Sequence, residues 1–312
     1  MEKQLSTMNI IDAHSHLWRQ QDTTWNGLAI KSLKNGRAMF LGNEVQMMSP
    51  FFTDGFNSAE IFLSNMDYAQ VAAAVVVQEL IDGFQNDYLK EVQRNYPNRF
   101  VTCGMCDYFK PQFAEEAARL IDEGFKGIAI PGHRLITDQQ RVLLNSDEMM
   151  RMFDVMEEND VFLSVTLADG DMQVGEMREV IEEHPRLRVA IGHFGKPTVE
   201  GWEQQVLLAR YENVMVEAGG ITWLYNSEFY PFHGAIRAIK EAAELVGMEK
   251  LMWGSDYPRT ITAITYRMSY DFVTKSTALT EKEKQLFLGE NACRFYHLHD
   301  LVQLPYIKNM SE

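Results

Sequence analysis

Cysteine is scarce in this chain, with three residues in 312, and only Cys103 and Cys106 lie near each other. That excludes a disulfide framework. Set in an apolar run and lacking a second pair, these two read as core thiols rather than a redox or zinc motif. No run approaches the roughly 18 apolar residues of a membrane-spanning helix. The N-terminal stretch MEKQLSTMNIIDAHSH holds no apolar segment of signal-peptide length. A reducing, cytoplasmic setting is the expectation. Positive charge is also in deficit: 29 Lys and Arg stand against 44 Asp and Glu, a net charge of −15. Nucleic acid and anionic membranes require a positive footprint and are excluded as partners. A small acidic substrate is not, because it feels local charge more than the total. Internal repeats and low-complexity tracts are missing as well.

What is present is an alternation of short β-rich runs with longer stretches of helical periodicity. The candidate strands are 8–14, 72–78, 100–106, 127–132, 161–167, 188–194, 214–219 and 251–256. Several are nearly continuous apolar runs, as expected for strands buried on both faces of a parallel sheet. In GAIRAIKEAAELVG, Ile236, Ile239, Ala243 and Val246 recur at helical spacing and Gly247 follows as the C-cap. Eight such units predict an α/β fold, a (β/α)8 TIM barrel over the whole chain, 1–312. The alternative, a doubly wound open sheet, would favour a glycine-rich phosphate loop after the first strand, and DAHSHLWR is not one.

The largest insertion follows the first strand, at about residues 17–70. Its end, NSAEIFLSNMDYAQV, reads as the first helix, capped by Asn57 or Ser58. Before it, Gly42-Asn43 between two apolar runs signals a hairpin. Trp18, Trp25, Phe40, Met47, Met48, Phe51 and Phe52 make the insertion rich in large apolar side chains. The segment at about 20–56 is expected to form a lid over the barrel mouth, with a homo-oligomer contact allowed on its outer face.

In a parallel barrel the C-terminal ends of all strands open on one face, so polar residues there converge. His14 and His16 close the first strand, Gln78 and Glu79 the second. His133 and Arg134 follow the fourth, Thr166 and Asp169 the fifth. His193 ends the sixth, Glu217 lies near the end of the seventh and Asp256 ends the eighth. Two imidazoles aimed at one point can bind a metal, polarise a carbonyl or move a proton. The eighth strand neighbours the first in a closed barrel, which sets Asp256 close to the histidine pair. Arg19, Arg134 and Arg259 lie just beyond strand ends, where a substrate carboxylate could be held.

IIDAHSHLWR, AIGHFGKP, LMWGSDYPR and LGENACRFYHL, in that order, resemble the amidohydrolase superfamily, and most closely its amidohydrolase-2 branch, from residue 9 to about 298. The resemblance implies a (β/α)8 barrel whose site lies at the strand C-termini. It implies His14, His16 and Asp256 as metal ligands, and His193 as the residue touching substrate or attacking water. The branch includes lactonases, a dicarboxylate-lactone hydrolase and non-oxidative decarboxylases.

Two departures bear on the metal. A further histidine is usual at the end of the fifth strand, where this chain has Ser164 and Thr166. Binuclear relatives carry a bridging lysine or glutamate on the fourth strand, where Ala129 and Ile130 stand here. One divalent ion, zinc or manganese, is therefore expected at most, with metal-free operation as the alternative. The expected activity is opening of a lactone of a small acidic metabolite such as a sugar acid. Asp256 would serve as general base, and His193, His14 and His16 would polarise the carbonyl. Arg259, Arg134, Arg19 and Thr166 would bind substrate. The alternatives are a metal-dependent decarboxylase of an aromatic or unsaturated acid and a barrel that binds a small acid without turnover.

Overall fold

The structure, a computed structural model, describes residues 8–308 and 310. In chain order the strands are β1 (Ile10–Ser15), β2 (Asp22–Trp25), β3 (Leu28–Ser32), β4 (Arg37–Phe40), β5 (Asn43–Gln46), β6 (Val71–Val76), β7 (Phe100–Gly104), β8 (Gly127–Ile130), β9 (Phe162–Val165), β10 (Val189–Ile191), β11 (Val214–Glu217) and β12 (Leu251–Met252). Eight of them form one sheet in the order β1-β6-β7-β8-β9-β10-β11-β12. Its pairings are all parallel. The sheet closes through the backbone just beyond β12: Ala13 N–H donates to Trp253 O at 2.9 Å and Asp256 N–H to His14 O at 2.8 Å. All eight strands expected from the sequence are present, and the fold is the expected (β/α)8 barrel.

The apolar runs bury both faces because the barrel has two cores. Ile11, Ala13, Val75, Cys103, Ala129, Phe162, Ala190, Met215 and Met252 belong to a cluster to which every barrel strand contributes, the packed interior. Alternate residues such as Val76, Ile128, Leu163 and Val216 join the larger layer shared with the helices. Cys103 sits in the inner cluster and Cys106 in the outer one, both buried and free, so the two thiols serve separate cores.

Helix 59–69 starts where expected: Ser58 Oγ accepts the Ile61 N–H as N-cap. Helix 233–246 ends at Gly247, whose N–H returns to Ala243 O.

The insertion folds as a four-stranded antiparallel sheet, β2-β3-β4-β5. The β4–β5 turn sits one residue earlier than the sequence reading placed it. Phe40 pairs with Asn43, and the central residues are Leu41 and Gly42, with φ of 49° and 83°. A tight two-residue turn of this hand needs positive φ at both positions, and glycine takes the second of them as it does in Asn-Gly. The β2–β3 turn is such an Asn-Gly, at Asn26-Gly27 with φ of 49° and 72°, a hairpin the sequence reading did not anticipate. Trp18, Met48 and Phe52 are buried in the outer core, which anchors the insertion on the barrel.

Candidate active site

The site begins with an irregularity in β1. Ile11 and Ala13 face the barrel interior, so strict alternation would turn His14 outward. The pairing with β6 shifts register between Asp12 and Ser15, and His14 turns inward as well. There its Nδ1 meets Glu217 Oε1, from β11, at 2.7 Å. The space around this pair exists because two neighbours have no side chain. A Cβ on Gly254 would come within 2.7 Å of His14 Cβ, and one on Gly219 within 2.8 Å of both His14 Cγ and Glu217 Oε2.

His16 points Nδ1 at Val77 O, 3.2 Å away, and lies 3.6 Å from Asp82 Oδ2. The two Nε2 atoms therefore face each other, at 3.1 Å. Asp256 joins them, its Oδ1 lying 3.0 Å from His16 Nε2 and 3.9 Å from His14 Nε2. It arrives there through a left-handed backbone conformation, φ 56°, which aspartate tolerates better than most residues. Its other oxygen, Oδ2, accepts the Trp223 indole N–H at 2.9 Å.

These contacts define what the cluster can hold. Both Nδ1 atoms face acceptor oxygens and so carry the ring protons. Both Nε2 atoms then present lone pairs to each other and to a carboxylate oxygen. Three such acceptors, all within 4.8 Å of one another, are a donor set suited to one divalent cation. The chemistry of these residues fits a metal.

Electrostatics follow burial. His14 is pushed down to about 3 by burial and by the adjacent His16. His193 is pushed down to about 4 by burial and by His14, and is a neutral imidazole near pH 7. Its Nδ1 bonds Gly219 O at 2.7 Å, leaving Nε2 as a proton acceptor. Burial alone would raise the Asp256 carboxyl, but its contact with His16 and the positive charge of Arg259 hold it well below the usual carboxylate range. Glu217, beside His14, is raised by burial to about 7. A cavity of ≈ 170 Å³ opens over the cluster, reaching from His14, His16, His193 and Asp256 to Glu79, His133 and Arg134.

The amidohydrolase family (Amidohydro_2) matches residues 11–298. The chain belongs to that family. It is an enzyme of the amidohydrolase superfamily. A curated relative, L-fucono-1,5-lactonase of Burkholderia multivorans (strain ATCC 17616 / 249), is 20% identical over 308 residues, covering 92% of this chain and 96% of the relative. Among solved structures, an amidohydrolase from Burkholderia multivorans with bound zinc is similar at a TM-score of 0.69 and 19% identity, over 93% of this chain and 100% of that one. The 5-carboxyvanillate decarboxylase of Sphingomonas paucimobilis is similar at a TM-score of 0.62 and 15% identity, over 94% and 100%.

Of the residues singled out in the sequence, this amidohydrolase brings His14, His16, His193, Asp256, Thr166, Arg134 and Arg259 to one cavity wall or another. Arg19 is not among them. Its side chain is 60% exposed, pairs with Glu91 and stacks over Tyr88. The insertion, too, stays one layer out: among the described residues, none from 20–56 lines the cavity. It reaches the wall through Trp25, which donates to Arg134 O and stacks on the guanidinium at 4.7 Å, and less directly through Gln21, which donates at 2.7 Å to Asp82, the partner of the wall residue Arg259. Sequence reasoning missed Trp223, Asp82 and Lys196. The Gly219-Gly220 pair was the available signal for Trp223, since a Cβ on Gly220 would fall 1.7 Å from its Nε1. No helix among the described residues is long and apolar enough to cross a membrane.

Proposed function

We propose that the chain hydrolyses a lactone, the cyclic ester of a small acidic metabolite such as a sugar acid. The observation that carries this reading is the convergence of His14 Nε2, His16 Nε2 and Asp256 Oδ1 at a cavity that also holds a neutral His193, whose Nε2 is left as an acceptor. His14, His16 and Asp256 would hold one zinc or manganese ion. When bound, it supplies Lewis acidity toward the ester carbonyl and toward water.

The chain's own residues supply the rest. His193 Nε2 accepts a hydrogen bond from the attacking water and orients it. The polarising role expected of His193 does not suit this tautomer, because its proton is committed to Gly219 O. The Asp256 carboxylate takes a proton from the water as the water oxygen bonds to the acyl carbon. It returns that proton to the ring oxygen as the acyl C–O bond breaks, and a hydroxy acid leaves. Arg259 Nη1, 3.7 Å from Asp256 Oδ1, places positive charge beside the developing oxyanion. The likeness to L-fucono-1,5-lactonase supports a lactone as substrate.

The test is a lactone panel followed by acid release, with Asp256→Asn as the control. Ring opening by the wild type and its loss in the variant are expected. Full activity of Asp256→Asn on a confirmed lactone would overturn the assignment.

A further inference from the structure

Resting on the lactonase reading for its kinetic arm, we infer that Asp82 is a positioning residue: it holds the Arg259 guanidinium away from direct pairing with Asp256, and it ties that charge to the insertion through Gln21.

The first observation is a competition for one cation. Arg259 Nη2 donates to Asp82 Oδ1 at 2.7 Å, whereas its Nη1 stays 3.7 Å from Asp256 Oδ1, beyond hydrogen-bond reach. Among the described residues these are the two carboxylates within ion-pair distance of the guanidinium. Its carbon also lies 5.6 Å from the ring centre of the fully buried Trp18. Without the Asp82 charge, a shift of about an ångström would give Arg259 a charge-assisted bond to Asp256. That bond would occupy Oδ1, the oxygen facing the two histidine Nε2 atoms. It would compete with a cation held there and take the positive charge away from the developing oxyanion.

The second observation concerns Asp82 itself. It lies in the turn at 80–82 that follows β6, it is buried, and it does not line the cavity. Burying a carboxylate is costly unless partners compensate it. Its Oδ1 is shared by two donors from distant parts of the chain, Arg259 and the insertion's Gln21, whose Nε2 donates at 2.7 Å. Its Oδ2 makes no hydrogen bond and lies 3.6 Å from His16 Nδ1. A carboxylate kept for packing alone would satisfy both oxygens; this one spends its bonds on Arg259 and Gln21. Gln21 is anchored in turn, since its backbone N–H donates to Ser32 Oγ of β3 at 2.9 Å. Gln85 Nε2 clamps the two segments together, donating to Asp82 O at 2.9 Å and Gln20 O at 3.1 Å.

The experiment uses the full chain as wild type, Asp82→Asn, Arg259→Met, their double variant and Gln21→Leu, with urea unfolding as the check on the fold. It reads steady-state rates on a lactone that the wild type opens, and zinc affinity of metal-stripped protein by calorimetry. Asp82→Asn should lower kcat about tenfold or more, with KM within about twofold. Its zinc affinity should fall about tenfold. In the Arg259→Met background the same substitution should change neither by more than about twofold, because no guanidinium remains to misplace. Gln21→Leu should lower kcat and zinc affinity about threefold at an unchanged urea midpoint. It decides the matter if Asp82→Asn or Arg259→Met fails to fold, and wild-type values there overturn the proposal. Equal losses with and without Arg259, an unchanged or raised kcat in Asp82→Asn, or a loss confined to stability would overturn the positioning role while leaving the lactonase reading in place. If no lactone is opened, the lactonase reading fails and zinc affinity decides: a loss that requires Arg259 supports the role of Asp82, and equal affinity, or no zinc binding by wild type, overturns it.

Discussion

Trp223 donates its indole N–H to Asp256 Oδ2 at 2.9 Å, and that single bond fixes which carboxylate oxygen faces the histidine pair. Removing it with Trp223→Phe frees the carboxylate to rotate. A hydrogen bond to a charged group contributes about 1.5–3 kcal/mol, so kcat should fall roughly 10- to 100-fold. Asp256→Asn should cost more, about 10²–10⁴-fold, because it removes the proposed base. Steady-state kinetics beside an unchanged thermal melt check both, and a Trp223→Phe variant at wild-type kcat would show that Oδ2 needs no partner.

Glu217→Gln tests the other end of His14. The carboxylate at 2.7 Å orients the ring and makes Nε2 more basic. Loss of such a partner weakens metal affinity by about 10- to 100-fold. Zinc titration of metal-stripped protein followed by calorimetry is the measurement; equal affinity in the two proteins would argue that Glu217 only fills space.

Asp12→Ala addresses stability rather than chemistry. Asp12 is fully buried and accepts from Ser255 N–H at 2.8 Å, from Ser255 Oγ–H and from Tyr266 O–H at 2.8 Å. Burial pushes its carboxyl up to about 7 despite these bonds. Truncation strands several buried donors at about 1–3 kcal/mol each. A loss of roughly 2–4 kcal/mol in urea unfolding is expected, together with loosening of the loop that carries Asp256. A change below about 0.5 kcal/mol, the usual effect at a surface site, would contradict this.

Trp25→Ala probes the insertion as a lid or brace. Trp25 is half-buried, and its stacking on Arg134 amounts to about 0.5–2 kcal/mol. KM is expected to rise several-fold through Arg134, with kcat little changed. Arg19→Ala, which alters only an exposed pair, should leave both constants within about twofold. If Trp25→Ala also leaves KM unchanged, the insertion lies outside the functional unit.

Strands and site histidines were legible in the sequence because their signals are local. Eight apolar runs and the polar residues at their ends fall where a parallel barrel needs them. Three features were not legible. The shift that turns His14 inward depends on how β1 pairs with β6, which lies far away in the chain. The tautomer of His193 depends on a carbonyl from Gly219, supplied by a different strand end. The direction of Arg19 was not legible because proximity to a strand end says nothing of where a side chain points, and this one turns to Glu91 outside the cavity. The one-residue slip at Gly42 arose from a local rule applied with glycine in the wrong turn position.

The glycines packed against His14 and Glu217 divide the cavity into two regions of unequal mutational freedom. On the His14 side, Gly219 and Gly254 leave no volume for even a methyl group, so substitutions there displace the His14 or Glu217 side chain outright. On the Glu79 side, the wall is made of long polar side chains whose ends can be shortened, lengthened or recharged without moving a strand. A library confined to positions 79, 133 and 134 should therefore shift substrate preference while keeping the His14 cluster in place, whereas one spread over 219 and 254 should return mostly inactive protein.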